Sequence, residues 1–397
     1  MKVCFIYKED YPWDVRVEKI VETLAAARYD VVLGCQNLKG LPRRERLGDI
    51  TIVRMPHLGP PFGLLSKLLN APIALNPVWL WLIWKAASLN SAETIIVRDL
   101  PLMPVAILVG KLTGRRVVFD MAECYPEMYA SIVDDGLKNR VFKNPAIAGV
   151  MEKFSVRHAD LVMVMIEESY DRLLAQGVPA EKIRIVSNTP PLPAELPDPD
   201  QINADMLRLL YVGFVTKIRG IDLAVRGIAA LRARHPKVQV EFDIVGSGEA
   251  VPAVRKLIGE YGLDESVRCH GWCEQEFVDR LYGQCNVGVL TYVDCPHWNH
   301  TIPNKIFDYM LAGYPVLTTG VKPISRIVSG TGCGVVCREW TADAVADALE
   351  FMLDPVAREK MGRAGQQAVT DYYNWGKDTE IMLAAFKKME TGSLRAG

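Results

Sequence analysis

The chain has 397 residues, 50% hydrophobic and 23% charged, a composition typical of a globular protein with two or three domains. Lysine and arginine (46) balance aspartate and glutamate (47). Because a net charge of −1 provides no overall field for gathering phosphates, we expect no nucleic-acid partner. The nine cysteines are dispersed without a Cys-x-x-Cys pair, which predicts reduced thiols in the cytoplasm and no structural zinc.

The predicted elements begin with a buried strand that is too short for the apolar core of a secretory signal. Apolar or β-branched runs then alternate with helix-length segments, and this alternation predicts parallel sheets covered on both faces. A short basic run, Pro42–Arg46, predicts a solvated turn. The predicted strands of the first half are Val3–Tyr7, Val31–Cys35, Thr51–Arg54, Thr94–Arg98, Arg116–Asp120, Leu161–Val164 and Ile183–Val186. Those of the second half are Arg208–Gly213, Gln239–Gly246, Val267–His270, Val287–Leu290, Pro315–Thr319 and Gly334–Cys337.

A proline-rich stretch separates the two series of strands. Five prolines lie between Pro190 and Asp205, a composition that predicts an interdomain linker. The sequence therefore predicts two doubly wound α/β domains. Ligands of such sheets bind beyond the carboxyl ends of the strands, so two facing domains would place a ligand cleft between them.

The segment from Leu68 to Trp84 is uncharged and contains three tryptophans. It is shorter than the roughly 20 apolar residues of a bilayer span and is interrupted by asparagine and proline, so we expect no span. Two interpretations remain open. The segment is either a buried helix, or an interfacial one with tryptophan at headgroup depth and Lys67 and Lys85 at its edges. The second would bring residues 62–85 into contact with a membrane surface.

The stretch after Thr301 predicts a short helix followed by a strand. Thr301 is a candidate N-cap, and Pro303 suits the first turn. Free N–H groups at the helix start, together with Lys305, would form an anion site. Asp308, about one turn further on, could accept hydrogen bonds from a sugar or ribose hydroxyl. The alternative is an ordinary capped helix with an acid on its surface.

This stretch resembles the Pro-x-Lys-x-x-Glu-Tyr-Met-x-x-Gly-x-Pro-Val signature of retaining glycosyltransferase family 4, whose members have the GT-B fold. The resemblance implies that Pro303, Asn304 and Lys305 bind the donor diphosphate. Asp308 stands where the second acid of the family's Glu-x7-Glu motif holds the donor ribose. His300 replaces the first glutamate, which in the family contacts the donor sugar.

A second resemblance follows the predicted linker. Residues 209–222 resemble the family's Tyr-Val-Gly-Arg-Leu-x-x-x-Lys-Gly-x-Asp loop, which supplies two cations to the donor diphosphate. Gly213 matches the family glycine, and Phe214 stands in the arginine position. Arg219 fills the lysine position, and Lys217 is a neighbouring cation. Because a departing nucleoside diphosphate develops negative charge, the resemblance implies catalytic roles for Lys217 and Arg219.

Two further turns of the second half resemble the same family. Gly248 belongs to a Val-Gly-x-Gly turn after the second strand of this half. Trp272 follows a segment similar to the family's Val-x-Phe-x-Gly-x, a loop whose backbone meets the nucleotide base. The resemblance places Gly248 and Trp272 in the donor site, whereas we expect His270 to belong to the strand or the core.

In the first half, the residues after Asp14 resemble the Asp-x-Arg-Val segment that opens the first helix in one branch of the family. This implies acceptor contacts by Asp14 and Arg16. The alternative is an aspartate N-cap followed by an exposed arginine. Asp99 and Glu123 follow two strand ends, where their carboxylates would bind acceptor hydroxyls in a catalytic role or cap helices instead.

The resemblance covers almost the whole chain and implies its organisation. The expected parts are an acceptor-binding Rossmann-like domain at 1–189, a linker at 190–206, a nucleotide-sugar-binding Rossmann-like domain at 207–373, and a C-terminal helix at 374–397 that crosses back to the first domain.

The resemblance also implies the reaction. We expect a retaining hexosyltransferase that moves a sugar from a nucleotide-diphosphate sugar to a glycan or lipid-linked sugar in cell-surface polysaccharide biosynthesis, without metal or other cofactor. It would lie in the cytoplasm, peripheral on the inner membrane face if the tryptophan-rich segment is interfacial. Two alternatives remain: a sugar-nucleotide epimerase, and a non-catalytic partner subunit of another glycosyltransferase. A dehydrogenase is disfavoured because no Gly-x-Gly-x-x-Gly follows the first strand.

Overall fold

The computed structural model describes residues 1–12, 14–58, 63–72, 76–131, 143–198 and 206–391. The chain divides into two compact units. Unit 1 comprises Met1–Asn188 with Asp378–Gly397, and unit 2 comprises Thr189–Lys377. The predicted linker, 190–206, falls in unit 2, and its residues 199–205 lie outside the described residues.

Unit 1 contains one sheet, in which neighbouring strands are parallel with a single exception at one edge. Its strands are β1 (Lys2–Tyr7), β2 (Asp30–Cys35), β3 (Arg44–Leu47), β4 (Ile50–Arg54), β5 (Thr94–Arg98), β6 (Arg116–Met121), β7 (Leu161–Val164) and β8 (Ile183–Ile185). Their order is β3-β4-β2-β1-β5-β6-β7-β8. Strand β1 pairs with β2 on one side and β5 on the other, so the direction of winding reverses between β1 and β5.

The edge strand β3 was wrongly predicted as a solvated turn. All four of its residues are exposed, so its side chains lack the apolar alternation by which a strand is recognised. It pairs antiparallel with β4, the exception in this sheet. Charged side chains on an edge strand hinder pairing with another chain, which accounts for a basic run in this position.

Unit 2 contains an all-parallel sheet. Its strands are β9 (Leu207–Val212), β10 (Val240–Val245), β11 (Val267–Gly271), β12 (Val287–Leu290), β13 (Val316–Thr319) and β14 (Gly334–Cys337). The order β11-β10-β9-β12-β13-β14 is that of the Rossmann fold, with the winding reversed between β9 and β12. The prediction of two Rossmann-like doubly wound domains is confirmed.

Helices connect these strands, and several begin with side-chain caps. In unit 1 they are α1 (Val15–Ala26), α2 (Gly63–Asn70), α3 (Pro77–Leu89), α4 (Met103–Thr113), α5 (Tyr125–Ala130), α6 (Pro145–His158) and α7 (Glu167–Ala175). In unit 2 they are α8 (Ile221–Arg234), α9 (Val251–Glu260), α10 (Gln275–Tyr282), α11 (Lys305–Leu311), α12 (Lys322–Thr331), α13 (Ala342–Phe351) and α14 (Pro355–Asp371). Asn76, Asn144 and Asp354 cap α3, α6 and α14, each followed by proline at a position where no N–H is needed.

The last helix, α15 (Trp375–Glu390), starts in unit 2 and continues in unit 1 from Asp378. Asp378 accepts a 2.8 Å hydrogen bond from the backbone N–H of Ser187, and Glu390 lies 3.3 Å from the amino group of Met1. These contacts fasten the helix predicted at 374–397 to unit 1, and residues 392–397 lie outside the described residues.

The tryptophan-rich segment forms α3, which is buried on one face and exposed on the other. Trp79 is 0% exposed, and its indole N–H donates to the carbonyls of Asn70 and Ala71. Trp84 on the other face is 53% exposed. Helix α3 therefore combines features of both interpretations, although residues 62 and 73–75 lie outside the described residues. Within the described ranges, no helix is both long and apolar enough to cross a membrane.

Candidate functional site

Two glycine-containing loops meet at the carboxyl ends of β9 and β10. The backbone N–H of Gly246 donates to the carbonyl of Gly271 at 2.7 Å. Gly246 has a φ of 135°, and a Cβ there would lie 1.8 Å from the carbonyl oxygen of Gly213. A Cβ on Gly248 would lie 2.2 Å from the carbonyl oxygen of Val215. Glycine is required here so that the two backbones can approach, which gives Gly248 a packing role between the loops.

A cavity of about 760 Å³ opens beside these loops, within unit 2. Its wall includes the ends of β9 and β10, the loop after β11, and parts of α10 and α11. The cavity brings together four residues that the sequence predicted as donor-binding: Gly213, Trp272, Lys305 and Asp308. It lies at the carboxyl edge of the sheet, where doubly wound folds bind their ligands.

The two predicted cations of the loop between β9 and α8 occupy different surroundings. Arg219 is half-buried, and its Nη1 donates to the hydroxyls of Tyr211 at 3.3 Å and Tyr292 at 3.2 Å. Its guanidinium also lies 5.2 Å from the ring centroid of Trp298. Lys217 is exposed and lines a separate cavity of about 260 Å³. Neither cation is among the residues that line the larger cavity.

Helix α11 starts later than predicted. It begins at Lys305 with Asn304 at the N-cap, so Thr301 is not the cap and Pro303 precedes the helix. Thr301 and Ile302 are 3% and 4% exposed and belong to the irregular chain before the helix. Their burial outweighs the local capping preference of threonine, and tertiary packing therefore sets this boundary.

Lys305 and Asp308 lie side by side on the cavity wall. Lys305 Nζ is 3.3 Å from Asp308 Oδ2, and the two side chains are 34% and 35% exposed. A pair this exposed contributes at most about 1 kcal/mol, so both charges stay accessible to a ligand. His300 is not among the residues that line the cavity, and its Nδ1 lies 3.2 Å from the carbonyl oxygen of Pro296.

Aromatic residues form another part of the cavity wall. Trp272 is 70% exposed, which leaves its ring available for stacking. His270 in the neighbouring strand contacts Asp243 at 2.6 Å, a contact within the sheet rather than at the cavity. Tyr282 lines the cavity and was not predicted, since no family motif covers it. Burial raises the pKa of Tyr282, and the charge of Asp308 adds to the effect.

In unit 1, Asp14 and Arg16 have structural partners. Asp14 caps α1 by accepting hydrogen bonds from the N–H groups of Arg16 (2.9 Å) and Val17 (3.0 Å). Arg16 is 1% exposed; it donates to Asp120 from Nε at 3.0 Å and Nη2 at 2.6 Å, and from Nη1 to the carbonyl of Ser187 at 2.8 Å. The guanidinium of Arg16 is thus enclosed by protein groups, and the geometry gives no support to its predicted contact with an acceptor.

Asp99 lies just beyond β5 with φ 74° and ψ 151°, a conformation that costs a non-glycine residue about 1–3 kcal/mol. Lys8 Nζ lies 3.2 Å from Asp99 Oδ2 and donates to the Tyr125 hydroxyl at 2.6 Å. Burial acts to lower the pKa of Arg98, but neighbouring carboxylates, first that of Asp99, outweigh it and raise this pKa. Glu123, half-buried, follows the next strand.

Lys8 and Tyr125 were not singled out by any motif. The signal that points to Lys8 is positional: it is the first residue after β1, next to the reversal of winding between β1 and β5. Strain at Asp99, held by a lysine that also bonds a tyrosine, is the kind of arrangement found at functional sites.

Both halves of the chain match known families. Residues 14–189 match the family model described as Glycosyl transferase 4-like domain, and residues 207–354 match the one described as Glycosyl transferases group 1. Together the two matches span most of both Rossmann-like units. The chain belongs to the GT-B glycosyltransferases of the family 4 type.

Among curated proteins, the chain is similar to alpha-D-kanosaminyltransferase of Streptomyces kanamyceticus, with 26% identity over 227 residues that cover 54% of this chain and 57% of that protein. The chain spans about half the length of the curated relatives it matches. Among solved structures, sucrose-phosphate synthase from Thermosynechococcus elongatus has a TM-score of 0.74 at 19% identity, covering 99% of this chain and 100% of that one. HepE of Anabaena, in complex with UDP and glucose, has a TM-score of 0.68 at 14% identity, covering 98% and 100%. These structures share the fold.

Proposed function

We propose that the protein transfers a sugar from a nucleotide-diphosphate sugar to a glycan or lipid-linked sugar acceptor, with retention of anomeric configuration. The observation that carries the proposal is the cavity of about 760 Å³ in unit 2, because one enclosure gathers an exposed tryptophan, a lysine and an aspartate. Small-molecule sites commonly occupy roughly 300–1,000 Å³. The cavity falls in this range, so its size suits a nucleotide sugar.

Each part of the donor has a partner in this proposal. The Trp272 ring stacks on the nucleotide base, Asp308 accepts hydrogen bonds from the ribose hydroxyls, and Lys305 binds the diphosphate with Asn304 and Pro303 beside it. Lys305 and Asp308 are already within 3.3 Å of each other, so a ribose and its attached diphosphate could be held by the pair together. Gly213 leaves room for the phosphates, and His300, outside the cavity wall, stands where the family glutamate contacts the donor sugar.

The chemical step follows from the leaving group. Arg219 and Lys217 stabilise the negative charge on the departing nucleoside diphosphate, the largest charge to develop in the transition state. The acceptor hydroxyl attacks on the face that the diphosphate leaves, and the diphosphate oxygen takes its proton. This same-face displacement retains the configuration and needs no protein nucleophile. We expect no metal requirement, so a chelator is part of the assay.

The acceptor belongs in unit 1 in this proposal. Asp99 and Glu123 follow the ends of neighbouring strands, and carboxylates there are suited to binding sugar hydroxyls. Lys8 supports the proposal, since its ammonium lies 3.2 Å from Asp99 Oδ2 and fixes the position of that carboxylate. Asp14 contributes through Arg98, to which it is bonded at 3.0 Å.

We further propose that α3 contacts the inner face of the cytoplasmic membrane, where a lipid-linked acceptor for surface polysaccharide would be found. Trp84 is 53% exposed, and Lys85 Nζ lies 4.5 Å from the Trp81 ring centroid, which places a cation beside an apolar surface. Flotation with vesicles containing anionic lipid tests this contact. Trp84→Ala should reduce binding, and Trp340→Ala, at a 46% exposed tryptophan of unit 2, should not.

The donor is tested by thermal unfolding with UDP, GDP, ADP and CMP and their sugar conjugates, starting with UDP. A ligand at 100 times its dissociation constant stabilises a protein by about 2.7 kcal/mol, which is readily seen in the midpoint. One nucleotide diphosphate should stabilise the wild type and lose its effect in Arg219→Ala. The matched control Arg363→Ala changes an exposed arginine paired with Glu359 at 2.8 Å and should keep the effect.

Turnover distinguishes the remaining functions. Donor hydrolysis or sugar transfer with an α-configured product from an α-configured donor supports the retaining transferase, and EDTA should leave the rate unchanged. An inverted product contradicts the retaining mechanism, and conversion of the donor sugar itself indicates an epimerase. If no nucleotide stabilises the protein and no donor is consumed, the proposal fails in favour of a non-catalytic partner subunit.

A further inference from the structure

Three aromatic side chains surround the guanidinium of Arg219. Its central carbon lies 5.9 Å from the ring centroid of Phe214, 5.6 Å from that of Tyr292 and 5.2 Å from that of Trp298. These distances are within the range of cation–π attraction. Phe214 belongs to the same loop, whereas Tyr292 and Trp298 come from the chain after β12.

Two hydroxyls fix the orientation of the same guanidinium. Nη1 of Arg219 donates to both Tyr211 at 3.3 Å and Tyr292 at 3.2 Å. The Tyr211 hydroxyl in turn donates to the carbonyl of Phe214 at 2.6 Å. Tyr211 and Tyr292 are both 0% exposed, so these hydroxyls have little freedom to move with solvent.

The backbone that carries Arg219 is held by the same segment. The carbonyl of Ile218 accepts from the Trp298 indole N–H at 3.0 Å and from the N–H of Val293 at 3.0 Å. The hydroxyl of Thr291 donates to the carbonyl of Gly220 at 2.8 Å. Residues on both sides of Arg219 are therefore hydrogen-bonded to the segment 291–298. This segment holds both the main chain around Arg219 and its side chain in place.

The held guanidinium lies close to one residue of the donor cavity wall, although Arg219 itself does not line the cavity. A Cβ at Gly213, which lines that cavity, would be 3.2 Å from Nη1 of Arg219. The absence of a side chain at Gly213 thus leaves Nη1 in close contact with the glycine loop.

We propose that Tyr211, Tyr292 and Trp298 are positioning residues that hold Arg219 for the donor diphosphate, an inference that rests on the proposed function. Hydroxyl and aromatic contacts orient a guanidinium without adding a formal negative charge. An oriented cation also spends less conformational entropy when the phosphate arrives. These three residues should therefore affect binding of the diphosphate and leave binding of the base unchanged.

The test compares a nucleoside diphosphate with its nucleoside, UDP with uridine first and the GDP and ADP pairs in turn, by calorimetry. Tyr292→Phe removes one hydrogen bond to a charged group and should weaken diphosphate binding about tenfold, with nucleoside binding unchanged. The matched control is Tyr261→Phe, which removes the hydroxyl that accepts from Arg226 at 3.3 Å elsewhere on unit 2. That variant should bind both ligands as the wild type does.

A double-mutant cycle separates positioning from general damage. In an Arg219→Ala background, Tyr292→Phe should have no further effect on diphosphate binding, because the group it positions is gone. Donor KM should rise in Tyr292→Phe and in Trp298→Phe, and the second variant replaces the first if Tyr292→Phe fails to fold. Two outcomes overturn this inference but not the proposed function. In the first, the variants bind the diphosphate as tightly as the wild type does. In the second, Tyr292→Phe weakens binding equally with and without Arg219. A wild type that binds no nucleotide overturns the proposed function as well.

Discussion

The contact between the glycine loops of unit 2 allows a sharp prediction about Gly246→Ala. The position lines the donor cavity and has a φ of 135°, which only glycine adopts readily. The added Cβ would lie 1.8 Å from the carbonyl oxygen of Gly213. Gly262→Ala is the matched control, because it also has a positive φ, of 60°, but its Cβ would meet no atom within 4 Å.

The expected loss follows from two effects. The unfavourable φ costs about 1–3 kcal/mol. Relieving the contact requires the loops to separate by roughly 2 Å to reach ordinary van der Waals distance. That movement disrupts the bonds from Gly213 N–H to Val245 (2.9 Å) and from Val215 N–H to Ser247 (2.9 Å), each worth about 1 kcal/mol. Gly246→Ala should therefore destabilise unit 2 by about 3–5 kcal/mol, against about 1–2 kcal/mol for the control.

Hydrogen exchange followed by mass spectrometry is the suitable assay, since it resolves peptides of β9 and β10 from those of unit 1. Exchange of the β9 and β10 peptides should accelerate in Gly246→Ala and much less in Gly262→Ala, with unit 1 unchanged. Nucleotide binding should be lost in the first variant and kept in the second. Equal effects of the two substitutions would refute the reasoning, because backbone conformation alone would then explain both.

Three further predictions follow from individual contacts. Arg16→Ala removes the nearest partner of the buried Asp120 carboxylate, leaving Arg98 at 3.8 Å, and should destabilise unit 1 by about 3–5 kcal/mol in urea unfolding, whereas Arg44→Ala on the exposed edge strand should change stability by less than about 0.5 kcal/mol. Trp272→Ala should leave unfolding unchanged and weaken nucleotide binding about tenfold, measured by calorimetry. Burial raises the pKa of Cys285 and Cys337 to about 12 from 9.0, so the thiols ionise first in the unfolded chain and the free energy of unfolding should fall as the pH rises from 9 to 12. A urea midpoint that stays constant between pH 9 and 12 would contradict this pH prediction.

The central parallel strands could be predicted because they are buried on both faces and appear as continuous apolar runs. Strand β13 (Val316–Thr319) is buried at every position, and so is β12. Strand β3 lacks this signal, because its pairing depends on β4 and its side chains are exposed. The start of α11 was missed for a related reason: the capping preference of Thr301 is local, while its burial is tertiary.

The donor cavity could be predicted in part because its residues lie at the ends of strands or the starts of helices. Trp272 and Lys305 are in such positions, and the fold brings strand ends to one edge. Contacts between distant residues were not accessible to the same reasoning. Arg16 and Asp120 are 104 positions apart, and Lys8 and Tyr125 are 117 apart, so no spacing or motif in one sequence connects them.

The two units differ in how they hold their arginines, and this difference bears on the division of labour. In unit 1, Arg16 contacts Asp120 and Arg98 contacts Asp14, so opposite charges compensate each other near the sheet edge. In unit 2, two hydroxyls and neighbouring aromatic rings orient the guanidinium of Arg219. A departing diphosphate needs a cation whose field reaches it, while a hydroxyl acceptor needs an ordered hydrogen-bond acceptor. This difference between the arginines of the two units supports assigning the diphosphate to unit 2 and the hydroxyl-bearing acceptor to unit 1.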